Sequence, residues 1–387
     1  MIERDTARIV AITVESTRIP TVRDHQMAIG TTRFQENVLV RVFTEDGAVG
    51  VGEAPHMVGH SQAGETPGTV RVVLRDKLIP AALGHNAFDH EGLSTTLDRA
   101  VPGNLRAKGA LAMAAYDLAG KLLGTPVHDL LGGRVRASIP LSWSLPIVAV
   151  DEVVHEAEAM VERGWRILKV KTGRPDPLED VRVVAAVRAA VGDAVRLRAD
   201  ANQAYSVKDA RRVIAGMAEH GLEFMEQPTA THDLTGLAEV TRTAEVPVMA
   251  DETADTPDAV AAIGAARAAD SVSIYVIGPG SLGRSKKMAD IAGAFGMRGY
   301  IGGALESIVG ASAGLHVAAS SPVIDLGCEM TGQYLLERDI GAERLQMRDG
   351  DLVVPTGPGL GVELDEEVIE HYRVGDVERH GAALEVA

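Results

Sequence analysis

The chain has 387 residues, 46% of them hydrophobic and 24% charged, which is an ordinary soluble globular composition and gives no indication of disorder. That length is too great for one small core and suits one large barrel, or a barrel with a second domain. A net charge of −16 without an offsetting basic stripe argues against binding nucleic acid, and the single Cys328 excludes an intramolecular disulfide framework.

The opening stretch, MIERDTARIVAITV, has neither a signal-peptide apolar region nor a long apolar span, so a cytoplasmic location with no membrane partner is expected. Two apolar runs, ARIVAITVEST and ENVLVRVFTEDGAVGVGEA, the second carrying the turn signal Glu45-Asp46-Gly47, predict antiparallel strands. PGTVRVVLRDKLIPAAL and NLRAKGALAMAAYDLAGKLLG then predict helices, the latter ending on glycine. Residues 1–132 therefore predict an α+β domain of their own. From about residue 137 the texture changes to eight short apolar strands, from SIPLSWSL and ILKVKTG to RGYIGGALE and SPVIDLGCE, separated by helical stretches such as VDEVVHEAEAMVERG. Strands separated by helices pair in parallel through right-handed crossovers, and eight of them close into an α/β (β/α)₈ barrel of the TIM type, expected over 133–350. The remainder, 351–387, carries two short apolar runs punctuated by Gly and Pro, and is expected to return and complete the N-terminal domain.

Chemistry enters at the strand ends. In RILKVKTG, Lys169 and Lys171 are two residues apart, so on a strand they point the same way and share one environment, either a wet cavity or a strong negative charge. Lys171, Asp200, Glu226, Asp251 and Tyr275 follow one another at intervals of 29, 26, 25 and 24 residues, one βα unit per step. The C-terminal ends of barrel strands converge on one mouth, so these side chains meet in space. Three carboxylates at one mouth resist ionising together, and a divalent cation relieves that conflict. Oxygen-only donors with positions left open suit Mg²⁺, with Mn²⁺ as a substitute. A lysine beside a cation and another ammonium is expected to have its pKa lowered toward neutrality and to serve as a general base. The predicted chemistry is removal of the proton next to a carboxylate, giving an enediolate. The stretch GPGSLG, Gly278 to Gly283, fits a dinucleotide fingerprint locally, yet it falls at the sixth unit of a repeating pattern and leaves the acids unexplained.

With these motifs, joined by WSL at Trp143 to Leu145, DANQAY from Asp200, EQP from Glu226, ADE from Ala250, YDLAGKLLGTPVHDLLGG before the barrel and the closing PGLGVELDE, nearly the whole chain resembles the enolase superfamily, muconate lactonizing enzyme subgroup. That resemblance implies Asp200, Glu226 and Asp251 as magnesium ligands, Lys171 as the acid/base and Lys169 as its partner. It implies Asn202 and Glu252 as supporting groups, and Ser142 and Glu329 as substrate contacts at the first and eighth strand ends. Two lid loops are implied around Arg23 to Thr32 and in EAPHMVGHSQ, bringing His25, His56 and His60 toward a small-molecule carboxylate substrate. A homo-oligomer is expected by the same likeness.

One position departs from the pattern. The family usually carries a second lysine at the end of the sixth strand, and here DSVSIY places Tyr275 there. Racemisation needs groups on both faces of the enediolate, so one-face reactions are expected instead: elimination of a β-substituent (a dehydratase) or cycloisomerisation. Tyr275 serves as a weak acid, a hydrogen-bond donor or wall. A racemase or epimerase of an amino acid, hydroxy acid or dipeptide stays open, as does a barrel that binds metal and carboxylate without turnover.

Overall fold

The computed structural model describes residues 7–57 and 64–382. Its strands run β1 (Ala11–Met27), β2 (Gly30–Phe43), β3 (Val49–Met57) and β4 (Ser138–Pro140), then β5 (Ser142–Leu145), β6 (Ile167–Lys171), β7 (Arg196–Asp200), β8 (Leu222–Glu226), β9 (Val248–Ala250), β10 (Ser271–Ile274), β11 (Arg298–Ile301) and β12 (Ile324–Cys328), and finally β13 (Met347–Arg348), β14 (Asp351–Val353) and β15 (Glu378–Gly381). β1, β2 and β3 form an antiparallel meander whose alternating Ile12, Val14, Val38, Val40 and Val42 bury one face. The helix Leu105–Leu123 lies directly on that sheet. It can approach so closely because Gly50 and Gly52 have no side chain: a Cβ on either would stand 2.1 Å from a helix carbonyl oxygen.

β5 to β12 are parallel and neighbour one another in chain order, one helix between each pair. A parallel bridge from Leu141 to Cys328 brings the two edges together, so the sheet is a nearly closed eight-stranded barrel. Branched and small residues fill its wall, among them Val170, Leu197, Ala199, Met225, Val248 and Ala250, all fully buried.

Two features differ from the sequence reading. The first expected lid, Arg23 to Thr32, is no loop: β1 continues to Met27 and β2 starts at Gly30, so the segment is the tip of a long hairpin turning at Ala28 and Ile29. Its pairing slips between Pro20 and His25, and that irregularity re-aims the tip over the barrel. Second, β13 and β14 form a hairpin that pairs with β4, so the expected boundary at 350 falls inside it, while β15 adds a fourth strand to the N-terminal sheet beside β1. Among the described residues no helix is long and apolar enough to cross a membrane.

Candidate active site

The lysine pair answers to the strand pleat. Lys169 and Lys171 both project from β6 into the barrel, and each is at least 95% buried. Lys171 Nζ donates to Asp200 Oδ2 at 2.5 Å and to Asn202 Oδ1 at 3.2 Å. Lys169 Nζ donates to both oxygens of Glu226, at 3.2 and 3.1 Å, and to Glu329 Oε2, and stands 3.4 Å from Asp200 Oδ2. Asp200 ends β7, Glu226 ends β8, Asp251 follows β9, Tyr275 follows β10 and Glu329 follows β12, so one mouth receives them all. Across it, Tyr275 OH donates to Asp251 Oδ2 at 3.1 Å. Asn202 joins the two sides of the acid row: its backbone N–H donates to Asp200 Oδ1 at 3.0 Å and its amide to Glu252 Oε1 at 3.2 Å.

The turns above β7 and β8 hold these groups under strain. Asn202, Gln203 and Gln227 all take positive φ, at 41°, 71° and 33°, a region costly for side-chain-bearing residues. Gln227, which the sequence reading quoted only inside EQP, does much of the fixing. Its Oε1 accepts from the backbone N–H groups of Asp251 (2.9 Å) and Thr253 (3.2 Å), so the end of β8 sets the start of the turn after β9.

The electrostatics correct one expectation. Burial alone would depress the Lys169 ammonium, but Glu226, Glu329 and Asp200 outweigh it and hold it well above the usual lysine value. Lys171 is likewise held up, burial and the repulsion of Lys169 being overcome chiefly by Asp200. The carboxylates alone thus hold both ammoniums up, opposite in sign to the lowering expected of a neighbouring cation. Against the pull of burial, Lys171 and Lys169 hold Asp200 below the ordinary carboxylate range. Burial, then the charge of Asp200, pushes Glu226 well up; burial, then Glu252, does the same to Asp251. Burial and Asp251 keep the Tyr275 phenol protonated.

The three expected carboxylates reach one mouth, but each is engaged by a neighbour. Among the described residues no group of three His, Cys, Asp or Glu side chains is already gathered to hold a metal ion. Lys171 occupies Asp200, Lys169 occupies Glu226, and Tyr275 takes one oxygen of Asp251. The donor set nevertheless suits a hard divalent cation. It is all oxygen, five acids face two ammoniums, and Asp251 Oδ1 and Glu252 Oε2 are buried with no partner among the described residues.

Of the expected substrate contacts, Glu329 and His25 line the cavity beside the lysines, which measures about 20 Å³. Arg23 donates to His25 Nδ1 at 3.1 Å, so the ring hydrogen is on Nε2; burial, then Arg23 and Lys171, keeps that imidazole neutral. Ser142 is misplaced. It begins β5 rather than ending it, and its Oγ accepts from the fully buried Arg198 at 2.6 Å. Ser144, one pleat further along the same face, lines the cavity instead. His56 is buried with Nδ1 3.1 Å from Ala54 O and lies outside that cavity, where the neighbouring Met57 takes its place, successive strand residues facing opposite ways. His60 lies outside the described residues.

Residues 9–132 match the family pattern described as mandelate racemase / muconate lactonizing enzyme, N-terminal domain, and residues 152–368 that described as enolase C-terminal domain-like. The chain belongs to the enolase superfamily and is muconate lactonizing enzyme-like. It is similar to a chloromuconate cycloisomerase from Cupriavidus necator, 34% identical over 94% of this chain and 99% of that protein. Among solved structures it resembles the muconate lactonizing enzyme of Pseudomonas fluorescens complexed with muconolactone, with a TM-score of 0.92 and 31% identity over 95% of this chain and 100% of the other. It also resembles the N-succinyl Arg/Lys racemase of Bacillus cereus, at a TM-score of 0.92 and 28% identity over 96% and 100%. The chain is thus an enzyme of the enolase superfamily, of the isomerase kind, in a family that binds a divalent metal.

Proposed function

We propose that this enzyme is a cycloisomerase, dependent on Mg²⁺ (or Mn²⁺) at Asp200, Glu226 and Asp251, that interconverts muconate or a substituted muconate with its lactone. The observation that carries the reading is the asymmetry of the mouth. Two ammoniums stand on β6, and four strands away in a barrel of eight, hence opposite, stands the phenol of Tyr275. A phenol kept protonated by burial and by Asp251 is a poor base, so protons move on the Lys171 face alone.

In ring closure a carboxylate oxygen bonds to the alkene carbon, and the displaced electron pair becomes an enediolate at the other carboxylate. Lys171 Nζ, held as an ammonium by Asp200, is in the state that gives its proton to the α-carbon. Ring opening runs the same transfer backward. Lys169 keeps its charge between Glu226 and Glu329 and supplies fixed positive potential beside the reacting carboxylate. A bound divalent cation adds positive charge at a substrate carboxylate oxygen. Loss of a β-substituent uses the same one-face geometry and is the second reading. The racemase reading, supported by likeness to a racemase, lacks an ammonium across the mouth.

The test is turnover of muconate and chloromuconates, followed by loss of the conjugated-diene absorbance. Wild type with Mg²⁺ is expected to consume at least one of them, and Lys171→Ala to lose about 10³-fold in kcat. Equal rates in the two proteins would overturn the assignment.

A further inference from the structure

The cavity at the lysines, about 20 Å³, has room for about one water. The body of a substrate must therefore extend elsewhere. On the far side of Tyr275, which lines both, opens a second compartment of about 210 Å³ between the barrel mouth and the start of the helix Leu105–Leu123.

Arg106 lines this compartment and is 93% buried, and it is exceptional in the molecule. Of the six buried Lys and Arg side chains among the described residues, five meet a carboxylate: Lys108 meets Asp98 at 2.9 Å, Arg174 meets Asp180 at 2.8 Å, Arg198 meets Glu223 at 2.8 Å, and the active-site lysines meet theirs. Arg106 meets none among those residues. Among the described residues its one side-chain hydrogen bond runs from Nη1 to the backbone oxygen of Pro55 at 2.7 Å, so four of its five N–H donors have no partner there. The charges of Glu65 and Glu306 act on this guanidinium, but neither acid meets it in an ion pair among the described residues, and a buried cation so placed is favoured further when an anion reaches its remaining donors.

The acids of the compartment make no ion pair with it: three are engaged elsewhere and the fourth is exposed. Glu65 accepts the backbone N–H groups of Arg106 (3.0 Å) and Ala107 (3.4 Å) at the helix start. Asn202 holds Glu252, Tyr275 holds Asp251, and Asp255 is exposed. What the compartment lacks is a small planar anion that fits a guanidinium fork.

We propose that Arg106 anchors a second carboxylate at the far end of the substrate, while the reacting carboxylate lies at the lysines with Tyr275 as the wall between the two ends. For the reacting end only, this rests on the proton-transfer reading above. Tyr275 is then a residue that sets substrate length: filling the position usually held by a lysine, it separates the two compartments.

The probes are adipate, a six-carbon dicarboxylate, and monomethyl adipate, titrated calorimetrically into the Mg²⁺-supplied enzyme. Wild type is expected to bind adipate about 10- to 100-fold more tightly than its monoester. Arg106→Met removes that preference, and Arg106→Lys, which keeps the charge but loses the fork, retains part of it. Equal affinity of wild type for both probes overturns the proposal, as does an Arg106→Met protein that keeps the preference. Should Arg106→Met fail to fold, as read by its melting curve, wild type and Arg106→Lys decide between the same outcomes. Deuterium uptake into muconolactone by the same samples reads the reaction separately. Uptake without a dicarboxylate preference sinks the Arg106 anchor alone, and a preference without uptake sinks the proton-transfer reading alone.

Discussion

Two buried groups of acids lie in this molecule, and they are held by opposite means. At the mouth, Asp200, Glu226 and Glu329 meet the ammoniums of Lys169 and Lys171. Between the N-terminal sheet and the barrel, Glu53, Glu306 and Asp339 meet backbone donors instead. Glu53 Oε1 accepts from Gly310 N at 3.0 Å and its Oε2 from Ser307 Oγ, Glu306 accepts from Ala304 N at 2.8 Å, and Asp339 accepts from Ile308 N at 3.0 Å. Gly310 permits this closeness, since a Cβ there would stand 2.4 Å from Glu53 Oε1. Burial, only partly countered by those donors, pushes Glu53 up to about 8 and Glu306 up to about 7. The difference teaches that a buried carboxyl is chemically what its partner makes it. Between two ammoniums, as Asp200 is, it is held as an ion; with one ammonium and another acid beside it, as Glu226 is, or with neutral donors alone, as Glu53 is, burial pushes it toward the protonated form.

The comparison breaks most visibly at Lys171. Lys171→Ala is expected to cost about 10³-fold in kcat while leaving the backbone circular dichroism unchanged. Lys169→Met comes next. It strands Glu226 and Glu329 without their cation, so kcat is expected to fall about 10²-fold and the metal-free protein to lose about 3–5 kcal/mol in denaturant melts. Tyr275→Phe removes the donor to Asp251 but no proton carrier, and kcat is expected to change less than about tenfold. Glu53→Gln has the smallest effect on rate, none beyond twofold, and sharpens the contrast through stability. A carboxyl protonated more readily in the folded chain (about 8) than in the unfolded one (4.5) contributes stability that is complete below pH 4.5 and is lost as pH rises through 8. Wild type is therefore expected to lose up to about 1.4 kcal/mol per pH unit from this group across that window, a slope that Glu53→Gln, scanned by urea melts, removes.

The mouth was legible in the sequence because its residues obey two local rules, alternation along a strand and one polar residue per βα unit; Lys169, Lys171, Asp200, Glu226 and Asp251 needed nothing else. The barrel followed from the same repeat. What escaped was whatever depends on contact between distant segments. Glu53 and Ser307 are 254 residues apart, and no local pattern joins them. Arg106 sits in an Ala-rich helix where an arginine reads as ordinary surface, and only tertiary packing buries it. Ser142 was placed at a strand end, but it begins β5, because WSL alone does not tell where the strand starts and stops. His25 was identified for a loop and found on a hairpin, where pairing with β2 carries the chain past its polar stretch.

The central claim is that one amine, on one face of the mouth, handles the proton. The direct measurement is incubation of muconolactone with the Mg²⁺-supplied enzyme in D₂O, reading by NMR which of the two hydrogens beside the carboxylate is replaced. One hydrogen exchanging stereospecifically in wild type, and neither in Lys171→Ala, is the predicted result. Exchange of both hydrogens, or undiminished exchange by Lys171→Ala, would contradict it.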